Sequence, residues 1–425
     1  MNYQQFIFKS YLFDAVSKQL SLQYSYDNEL NFTETFTFDF DFAAYDPAAL
    51  DRAFQQLFFV AGVSYYKAFL VPTIRVEAGQ IDAKLAAFLS QTYERGLGEF
   101  FYVNRLDPRT SIEFPVTTTE PLNMLSISGN GQLVGLGGGK DSLVSVELLR
   151  ANENLATWSL GHEKQLSPLV ERVGLPHLWV EREWDKQLLG LNEQGAYNGH
   201  VPISAVFACV GTVVAILSGR RDTVVSNEQS ANEPTLSYQD VSINHQYSKS
   251  QEFERSYQEL LQANFGDDLR YYSLLRPLSE LRIAELFSTH GFDKYHDVFS
   301  SCNRAFTHDS PGLFWDGTCP KCAFVFLALA PFVDQAKLQD LFGGKNLLLD
   351  ETLGSTYRQL LGIEGDKPLE CVGEVRESRA AMRLAQAIYP ELSRYEFELP
   401  ADYDFRVHAS YEMPEEVWAS IQSRV

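Results

Sequence analysis

The sequence is poor in cysteine and in basic residues. Only five of its 425 residues are cysteines, and their irregular spacing predicts no disulfide framework, which fits a reducing cytoplasm. Lysine and arginine number 35 against 56 aspartates and glutamates, so the formal net charge is −21. A chain this acidic repels a polyphosphate backbone and has little material for a basic groove, so we expect no nucleic acid partner.

The sequence also lacks segments that would export the chain or hold it in a membrane. Residues 1–7 have neither the basic start nor the apolar core of a secretion signal. The most apolar run, Val201 to Leu217, is about as long as the shortest membrane spans but contains Pro202 and Gly211, which favours a buried helix. We therefore expect a cytoplasmic protein that does not enter the membrane.

Hydrophobic patterning predicts an α/β protein. Alternating apolar residues over 20–40 indicate a hairpin, and helices are predicted to follow from Pro47 and from Asp82. From Leu125 onward, strands alternate with helices, which predicts a parallel sheet. The predicted domains are an N-terminal α+β domain over residues 1–122, a parallel-sheet domain over 123–335 and a helical extension over 336–425.

The segment from Leu133 to Leu149 predicts a strand, a glycine turn and a helix, which together form a phosphate-binding loop. The turn has no side chains, and the start of a helix presents unpaired N–H groups to an anion. A P-loop is excluded because Asp141 follows Lys140 where Ser or Thr is required. The dinucleotide fingerprint is excluded because its third glycine would fall on Lys140. A glycine-rich turn without a ligand is the simpler alternative.

The order Gly-Gly-x-Asp-Ser at Gly138 to Ser142 resembles the pyrophosphatase loop of the N-type ATP pyrophosphatases, which split ATP into AMP and pyrophosphate. The first serine of that loop is Gly137 here, so backbone N–H groups would replace one hydroxyl. A carboxylate beside phosphates suits Mg²⁺, which assigns Asp141 to the metal. As structural alternatives, Asp141 caps the helix and Lys140 faces solvent. The predicted ATP-binding residues are Gly137, Gly138, Gly139, Lys140, Asp141 and Ser142.

Further polar residues are predicted to meet this loop. Ligands of open α/β sheets lie beyond the carboxyl ends of the strands, where the segment 226–232 follows a predicted strand. Glu228 in that segment is a candidate base or metal ligand, unless the loop is merely solvated. Lys249 offers an anion donor, although its segment also suits a helix start capped by Ser250. His200 precedes the predicted buried helix and is either catalytic or structural.

Three cysteines form a second candidate site. Cys319 and Cys322 have the two-residue gap that lets both thiolates reach one tetrahedral Zn²⁺, and Cys302 would add a third ligand. Asp316 and His308 are the candidates for the fourth ligand. Reactive thiols and inert cysteines are the alternatives to zinc. The remaining two, Cys209 and Cys371, are predicted to be structural.

Taken in order along the chain, several segments resemble the MurL family of bacterial peptidoglycan synthesis, the UDP-N-acetylmuramoyl-L-alanyl-L-glutamate epimerases. These segments are 61–68, the loop 137–142, 226–230, 301–306 and 319–330. The resemblance implies a PP-loop core of the HUP-like, adenine nucleotide alpha hydrolase-like class. It also implies that ATP and Mg²⁺ are used to convert a terminal L-glutamate to D-glutamate through an acyl-adenylate, releasing AMP and pyrophosphate.

The resemblance also directs the choice of site residues. The side chains chosen for proton transfer at the glutamate α-carbon are Glu228, Lys249, His200 and Cys302. Those chosen to hold the UDP-N-acetylmuramoyl-dipeptide are Tyr65, Tyr66, Lys67, Asn227, Tyr247 and Ser248. An ordinary helix face is the alternative for residues 65–67.

Two other classes of protein fit the same loop. One is another adenylating enzyme, either an amide ligase or a sulfur-inserting enzyme, in which the cysteines are catalytic or hold zinc. The other is a nucleotide-binding regulatory protein with a degenerate loop, suggested by Gly137 in place of serine. Formation of AMP, of a new amide or of a C–S bond distinguishes these classes from an epimerase.

Overall fold

The computed structural model describes residues 3–306, 310 and 312–425 as an α/β fold. His308 therefore lies outside the described residues. The strands are β1 (Gln5–Asp14), β2 (Gln19–Tyr26), β3 (Leu30–Asp39), β4 (Thr73–Val76), β5 (Gln132–Gly135), β6 (Leu155–Leu160), β7 (His177–Glu183), β8 (Asp222–Val225), β9 (Leu236–Tyr238), β10 (Val241–Ile243) and β11 (Arg270–Ser273). The α-helices are α1 (Pro47–Ala61), α2 (Val63–Tyr66), α3 (Ala83–Gly96), α4 (Gly98–Val103), α5 (Lys140–Leu149), α6 (Glu163–Val173), α7 (Gln187–Glu193), α8 (Ile203–Leu217), α9 (Gln251–Phe265), α10 (Glu280–His290), α11 (Phe292–Tyr295), α12 (Pro320–Leu329), α13 (Gln335–Leu341), α14 (Gly354–Leu360), α15 (Val375–Gln386) and α16 (Glu415–Ile421).

In the described part of the chain, nine strands form one sheet, in the order β11-β8-β5-β6-β7-β3-β2-β1-β4. Neighbouring strands from β11 to β7 are parallel, which confirms the predicted parallel sheet. Strand β3 pairs antiparallel with β7, so the N-terminal strands extend the same sheet. The domain boundaries and the assignment of the core to the PP-loop class stay predictions.

The predicted N-terminal hairpin is present and packs against a capped helix. Leu20 pairs with Phe36 and Tyr24 with Phe32, and all four side chains are buried on one face of the sheet. Helix α1 begins where Asp46 accepts hydrogen bonds from the first-turn N–H groups, with proline in the first turn as expected. The sequence pattern alone therefore locates these elements.

Helices cover both faces of the sheet, and α8 is the buried helix predicted over 201–217. Helices α1 and α8 pack in one core and α5, α10 and α12 in the other. A Cβ on Gly211 would lie 2.6 Å from Cγ2 of Thr223, so glycine lets α8 lie close to the sheet. No helix in the described ranges is long and apolar enough to cross a membrane.

The C-terminal extension consists of short helices, as predicted, and returns to the strand ends. Glu377 of α15 accepts a hydrogen bond from the backbone N–H of Glu280, the first residue of α10, at 2.8 Å. Ser279 donates to the carbonyl oxygen of Phe405 at 2.6 Å. The extension is therefore attached to the end of the sheet where a ligand is expected.

Candidate active site at the carboxyl ends of the parallel strands

The glycine loop connects β5 to α5, as the sequence predicts. Gly138 has a φ of +86°, and a Cβ there would lie 3.1 Å from the carbonyl oxygen of Ser300, so this position requires glycine. Among the described residues, none lies within 4 Å of a Cβ added at Gly137. Gly139 is the N-cap of α5 and provides no side-chain hydrogen bond, so the N–H groups of the first turn can receive an anion.

Lys140 is buried, and its ammonium is paired with the carboxylates of Asp141 and Glu280. Burial opposes the charged form, but these carboxylates outweigh it and raise the pKa of Lys140. The solvent-facing alternative for Lys140 is therefore wrong. Capping of α5 by Asp141 is also wrong, because Gly139 occupies the cap. Ser142 is buried and donates to the carbonyl oxygen of Gly139 at 3.0 Å.

Glu280, the partner of Lys140, is a site residue that sequence reasoning missed. Burial raises the pKa of Glu280, and the neighbouring carboxylates of Asp141 and Glu228 raise it further. The ammonium of Lys140 lowers this pKa but does not outweigh them. A glutamate in the first turn of a helix is ordinary in any sequence. Its local pattern therefore carries no sign that a lysine 140 residues away is its partner.

Glu228 and Lys249 follow β8 and β10 and lie close together, as the sequence predicts. Glu228 is buried, so the solvated-loop alternative for this residue is wrong. Cys371 and then Glu228 raise the pKa of Lys249, and Asp141 of the glycine loop adds to the effect. Ser250 caps α9 directly after Lys249, so the predicted helix start is confirmed, and the role of Lys249 as an anion donor stays a prediction. The structure thus brings Asp141, Glu228 and Lys249 into one electrostatic cluster.

A buried arginine holds the loops that carry Glu228 and Lys249. Arg276 is fully buried and donates to the carbonyl oxygen of Glu228 at 2.7 Å and to that of Lys249 at 2.5 Å. Its Nε donates to Oε2 of Glu254 at 2.9 Å. Sequence reasoning missed this positioning residue, although an arginine within the otherwise apolar run 274–278 is the signal that could have identified it.

His200 and His245 share one carboxylate partner. Oε2 of Glu99 lies 3.2 Å from Nδ1 of His245 and 3.5 Å from Nδ1 of His200. Burial opposes the imidazolium of His245, but Cys371 and Glu99 outweigh it and raise its pKa to about 9. Burial, together with the positive charges of His245 and Lys249, lowers the pKa of His200.

Cys371 reaches the same cluster from the C-terminal extension. Its Sγ lies 3.4 Å from Nζ of Lys249, and it interacts with the imidazole of His245. Burial opposes a thiolate, but Lys249, Lys321 and His245 outweigh it and lower the pKa of Cys371 to about 6. From the sequence, Cys371 was predicted to be structural, since its neighbours along the chain give no sign of these partners.

The predicted substrate residues of the N-terminal segment are buried. Tyr66 donates to the carbonyl oxygen of Val71 at 3.1 Å, and the Tyr65 hydroxyl accepts from the backbone N–H of Asp185 at 3.1 Å. Nζ of Lys67 donates to Oδ1 of Asn198 at 2.9 Å, two residues before His200. Burial lowers the pKa of Lys67 to about 8. The role of these residues in binding stays a prediction.

The other predicted substrate residues lie beside Glu228 and Lys249. The carbonyl oxygen of Asn227, next to Glu228, accepts from Ser273 at 2.6 Å. Tyr247 and Ser248 are buried in the turn that ends at Lys249. Tyr247 also borders a groove of about 1060 Å³ between α3 and α9, and the glycine loop is not part of its lining. That Asn227, Tyr247 and Ser248 contact a substrate stays a prediction.

The cysteine cluster is complete in the structure. The ligand atoms of Cys302, Asp316, Cys319 and Cys322 all lie within 4.8 Å of one another. Sγ of Cys322 lies 3.4 Å from Sγ of Cys319 and 3.1 Å from Oδ1 of Asp316. A hydrogen bond from Cys322 lowers the pKa of Cys319 to about 6. Asp316 was one of the two candidates for the fourth ligand, and His308, the other, lies outside the described residues.

Residues beside this cluster contact the glycine loop. The backbone N–H of Ser300 donates to the carbonyl oxygen of Gly138 at 2.9 Å. A Cβ on Gly139 would lie 3.4 Å from Cβ of Ser301. Cys302 directly follows these two serines and therefore connects the cysteine cluster to the glycine loop.

Comparison with protein families assigns the chain. The family model described as the MurL N-terminal domain matches residues 1–274, and the MurL C-terminal domain matches residues 298–393. The chain belongs to the MurL family. The two matches include the glycine loop, the cysteine cluster and Cys371.

Three relatives in the MurL family are similar over most of the chain, and each is named UDP-N-acetyl-alpha-D-muramoyl-L-alanyl-L-glutamate epimerase. The protein of Xanthomonas oryzae pv. oryzae is 42% identical over 380 residues, which cover 87% of this chain and 83% of its own. The Micromonospora sp. protein is 39% identical over 390 residues, or 89% and 86% of the two chains. The Salinispora tropica protein is 38% identical over 388 residues, or 89% and 84%. No solved structure matches the chain.

For this member of the MurL family, sequence reasoning located the glycine loop, Glu228, Lys249, His200 and the cysteine cluster. It missed the residues whose partners are far away along the chain. Those residues are Glu99, His245, Arg276, Glu280, Lys321 and Cys371. Each acquires its chemical setting only through folding, although Arg276 stands out within an apolar run.

Proposed function

We propose that the protein uses ATP to convert the terminal L-glutamate of UDP-N-acetylmuramoyl-L-alanyl-L-glutamate to D-glutamate, releasing AMP and pyrophosphate. The epimerase name of the three relatives supports the substrate and the stereochemical outcome. The observation that carries the proposal is the uncapped N-terminus of α5, which lies beside the cluster of Asp141, Glu228 and Lys249. This arrangement joins a phosphate site to acid–base groups.

The glycine loop would receive the phosphates of ATP. The first-turn N–H groups of α5 bind anions, and Gly137 and Gly138 leave room for close approach of the phosphate oxygens. Asp141 is the residue that would hold Mg²⁺, which neutralises phosphate charge. Lys140 keeps its ammonium beside Asp141 and Glu280 and so limits the repulsion between these carboxylates and the nucleotide.

Activation of the carboxylate makes the epimerisation feasible. A free carboxylate resists loss of its α-proton, because the resulting enolate carries a second negative charge. An acyl-adenylate removes that charge, and each reduction of the barrier by about 1.4 kcal/mol raises the rate tenfold. A base then takes the α-proton, an acid returns one to the opposite face, and water releases the product.

The predicted residues differ in how well their positions suit proton transfer. Glu228 and Lys249 lie in the cluster beside Asp141, and each positioned acid or base contributes about 10²–10⁴-fold. His200 is linked to this cluster through Glu99 and His245. Cys302 lies among the four groups of the cysteine cluster, which favours a metal-holding role over a catalytic one.

The decisive experiment is incubation with UDP-N-acetylmuramoyl-L-alanyl-L-glutamate, ATP and Mg²⁺ in D₂O, followed by chiral analysis of glutamate and analysis of the nucleotides. We expect D-glutamate with deuterium at its α-carbon, together with AMP. A new amide or C–S bond would instead identify one of the other adenylating enzymes. Absence of AMP under conditions where ATP still binds would favour the regulatory protein and overturn the proposal.

Gly137→Ser is expected to be tolerated. Because nothing lies within 4 Å of the added Cβ, the melting temperature should stay within about 2 °C of the wild type. The hydroxyl adds a phosphate donor, so AMP formation should equal or exceed the wild-type rate. Gly138→Ser is the matched control and should lose stability, because its φ is +86°. A loss of AMP formation in folded Gly137→Ser would contradict this account of the loop.

We also propose that the cysteine cluster holds Zn²⁺ as a structural ion. Three sulfurs and one carboxylate oxygen form a donor set that this ion accepts in tetrahedral geometry. Cys302, Asp316, Cys319 and Cys322 would be the ligands. The ion would stabilise the segment that contacts Gly138 and Gly139, and thereby the phosphate loop.

Cys322→Ser is expected to abolish metal binding. Metal analysis of the purified protein should fall from about one zinc per chain to near zero, with a lower melting temperature. Cys209→Ser is the matched control, since Cys209 is buried in α8 and lies outside the cluster. Full zinc content in Cys322→Ser, or none in the wild type, would contradict the assignment.

A further inference from the structure

The proposed epimerase function leaves unused a cysteine that the structure places in the acid–base cluster. Resting on that function, we propose that Cys371 is a catalytic residue that exchanges the α-proton of the activated glutamyl group on one of its faces. His245 and Lys249 maintain its sulfur as a thiolate, and Glu99 orients His245.

Glu99 contacts His245, and His245 in turn interacts electrostatically with Cys371. The carboxylate of Glu99 lies 3.2 Å from Nδ1 of His245, which sets the orientation of the imidazole. Nε2 of His245 is buried and has no well-formed hydrogen bond among the described residues, while the Cys371 thiol interacts with the same ring. A thiol beside an imidazole that a third group orients is the arrangement that activates cysteine in enzymes.

The charges around the sulfur favour its ionised form. Lys249, Lys321 and His245 present positive charge to Cys371 and, against the effect of burial, lower its pKa to about 6. The carboxylates of Glu228 and Asp141 raise the pKa of Lys249. The carboxylate of Glu99 raises the pKa of His245, whose positive charge lowers the pKa of the neighbouring His200. The pKa of His245 is raised to about 9, so a positively charged imidazolium faces the sulfur near neutral pH.

The position of the sulfur links it to the reaction. Sγ of Cys371 lies 3.4 Å from Nζ of Lys249, and Lys249 interacts electrostatically with Asp141 of the phosphate loop. The residue Cys371 is half-buried, and its sulfur is surrounded by the side chains of the cluster. A base with a pKa near neutrality combines a large deprotonated fraction with useful proton affinity.

The proton transfer balances without a further reactant. The thiolate forms an S–H bond as the Cα–H bond breaks, and the electron pair of that bond moves into the enolate of the acyl-adenylate. A second acid then protonates the opposite face. In the reverse direction, the same thiol donates its proton to Cα.

The test separates activation of the carboxylate from exchange of the α-proton. With the dipeptide nucleotide and ATP in D₂O, Cys371→Ala should retain AMP formation but lose deuterium incorporation and D-glutamate by about 10²–10⁴-fold. Cys209→Ala is the matched control and should exchange at the wild-type rate. Wild-type deuterium incorporation in folded Cys371→Ala would overturn this inference and leave the proposed function standing. Absence of AMP and of exchange in the wild type would overturn both.

The ionisation of the thiol can be measured without any turnover. Iodoacetamide labelling of the wild type, followed residue by residue with peptide mass spectrometry, should give a pH midpoint for Cys371 near 6. His245→Gln should move that midpoint upward, toward about 8.5 for a free cysteine. A wild-type midpoint near that free value would overturn the inference whatever the activity of the enzyme.

Discussion

Asp141→Asn should reduce AMP formation with the dipeptide nucleotide by at least about 100-fold, because it removes a charge preorganised beside the transferring phosphate. Asp141 occupies the first turn of α5 and pairs with Lys140. The amide would lose both the Mg²⁺ ligand and the counter-charge of the lysine. Measurement of AMP at saturating ATP across a range of Mg²⁺ concentrations should also reveal a higher Mg²⁺ requirement.

A matched variant separates this effect from a general change of charge. Glu153→Gln removes one negative charge from the exposed turn after α5 and should leave AMP formation unchanged. Both variants should keep the wild-type circular dichroism spectrum. If Asp141→Asn forms AMP at the wild-type rate with an unchanged Mg²⁺ requirement, Asp141 has no part in nucleotide activation.

The second large effect concerns stability. Arg276→Met should lower the free energy of unfolding by about 3–5 kcal/mol, because Glu254 would remain buried without its positive partner. The carbonyl oxygens of Glu228 and Lys249 would also lose their donor. Thermal unfolding should shift down by about 3–6 °C.

Two comparisons make the stability measurement specific. Arg255→Met breaks an exposed ion pair with Glu412 and should cost no more than about 1 kcal/mol. The double variant Glu254→Gln/Arg276→Met should be more stable than Arg276→Met alone, because the buried charge is then removed. Equal melting temperatures for Arg276→Met and Arg255→Met would show that the buried pair does not hold these loops.

Local patterns were sufficient to predict most of the fold. Alternation of apolar residues located β2 and β3, a proline marked the start of α1, and three glycines marked the turn before α5. The continuation of the N-terminal hairpin into the parallel sheet was not predictable in this way. It depends on pairing between Thr35 and Glu183, which are far apart in sequence and carry no mutual signal.

The residues of the candidate site also divide into those that local patterns predict and those that depend on distant contacts. Glu228 could be selected because it belongs to a polar segment after a predicted strand, and Lys249 because its polar segment offers anion donors. Glu280 could not, because its significance lies in contact with Lys140, and its own helix start is commonplace. Cys371 carries no local signal either, since three distant cations set its pKa. An electrostatic environment that is created by residues distant in the sequence cannot be predicted from the local patterns of a single sequence.

The attachment of the C-terminal extension to the strand ends has a consequence for biosynthesis. Glu377 contacts the start of α10, and Cys371 contacts Lys249, so these parts of the site leave the ribosome long after the sheet they join. At about 5–20 residues per second, the sheet is made several seconds before they arrive. Until then the growing chain has Lys140 and Glu280 but not Cys371, so the cluster that contains Lys249 is completed only after residue 371 has been added.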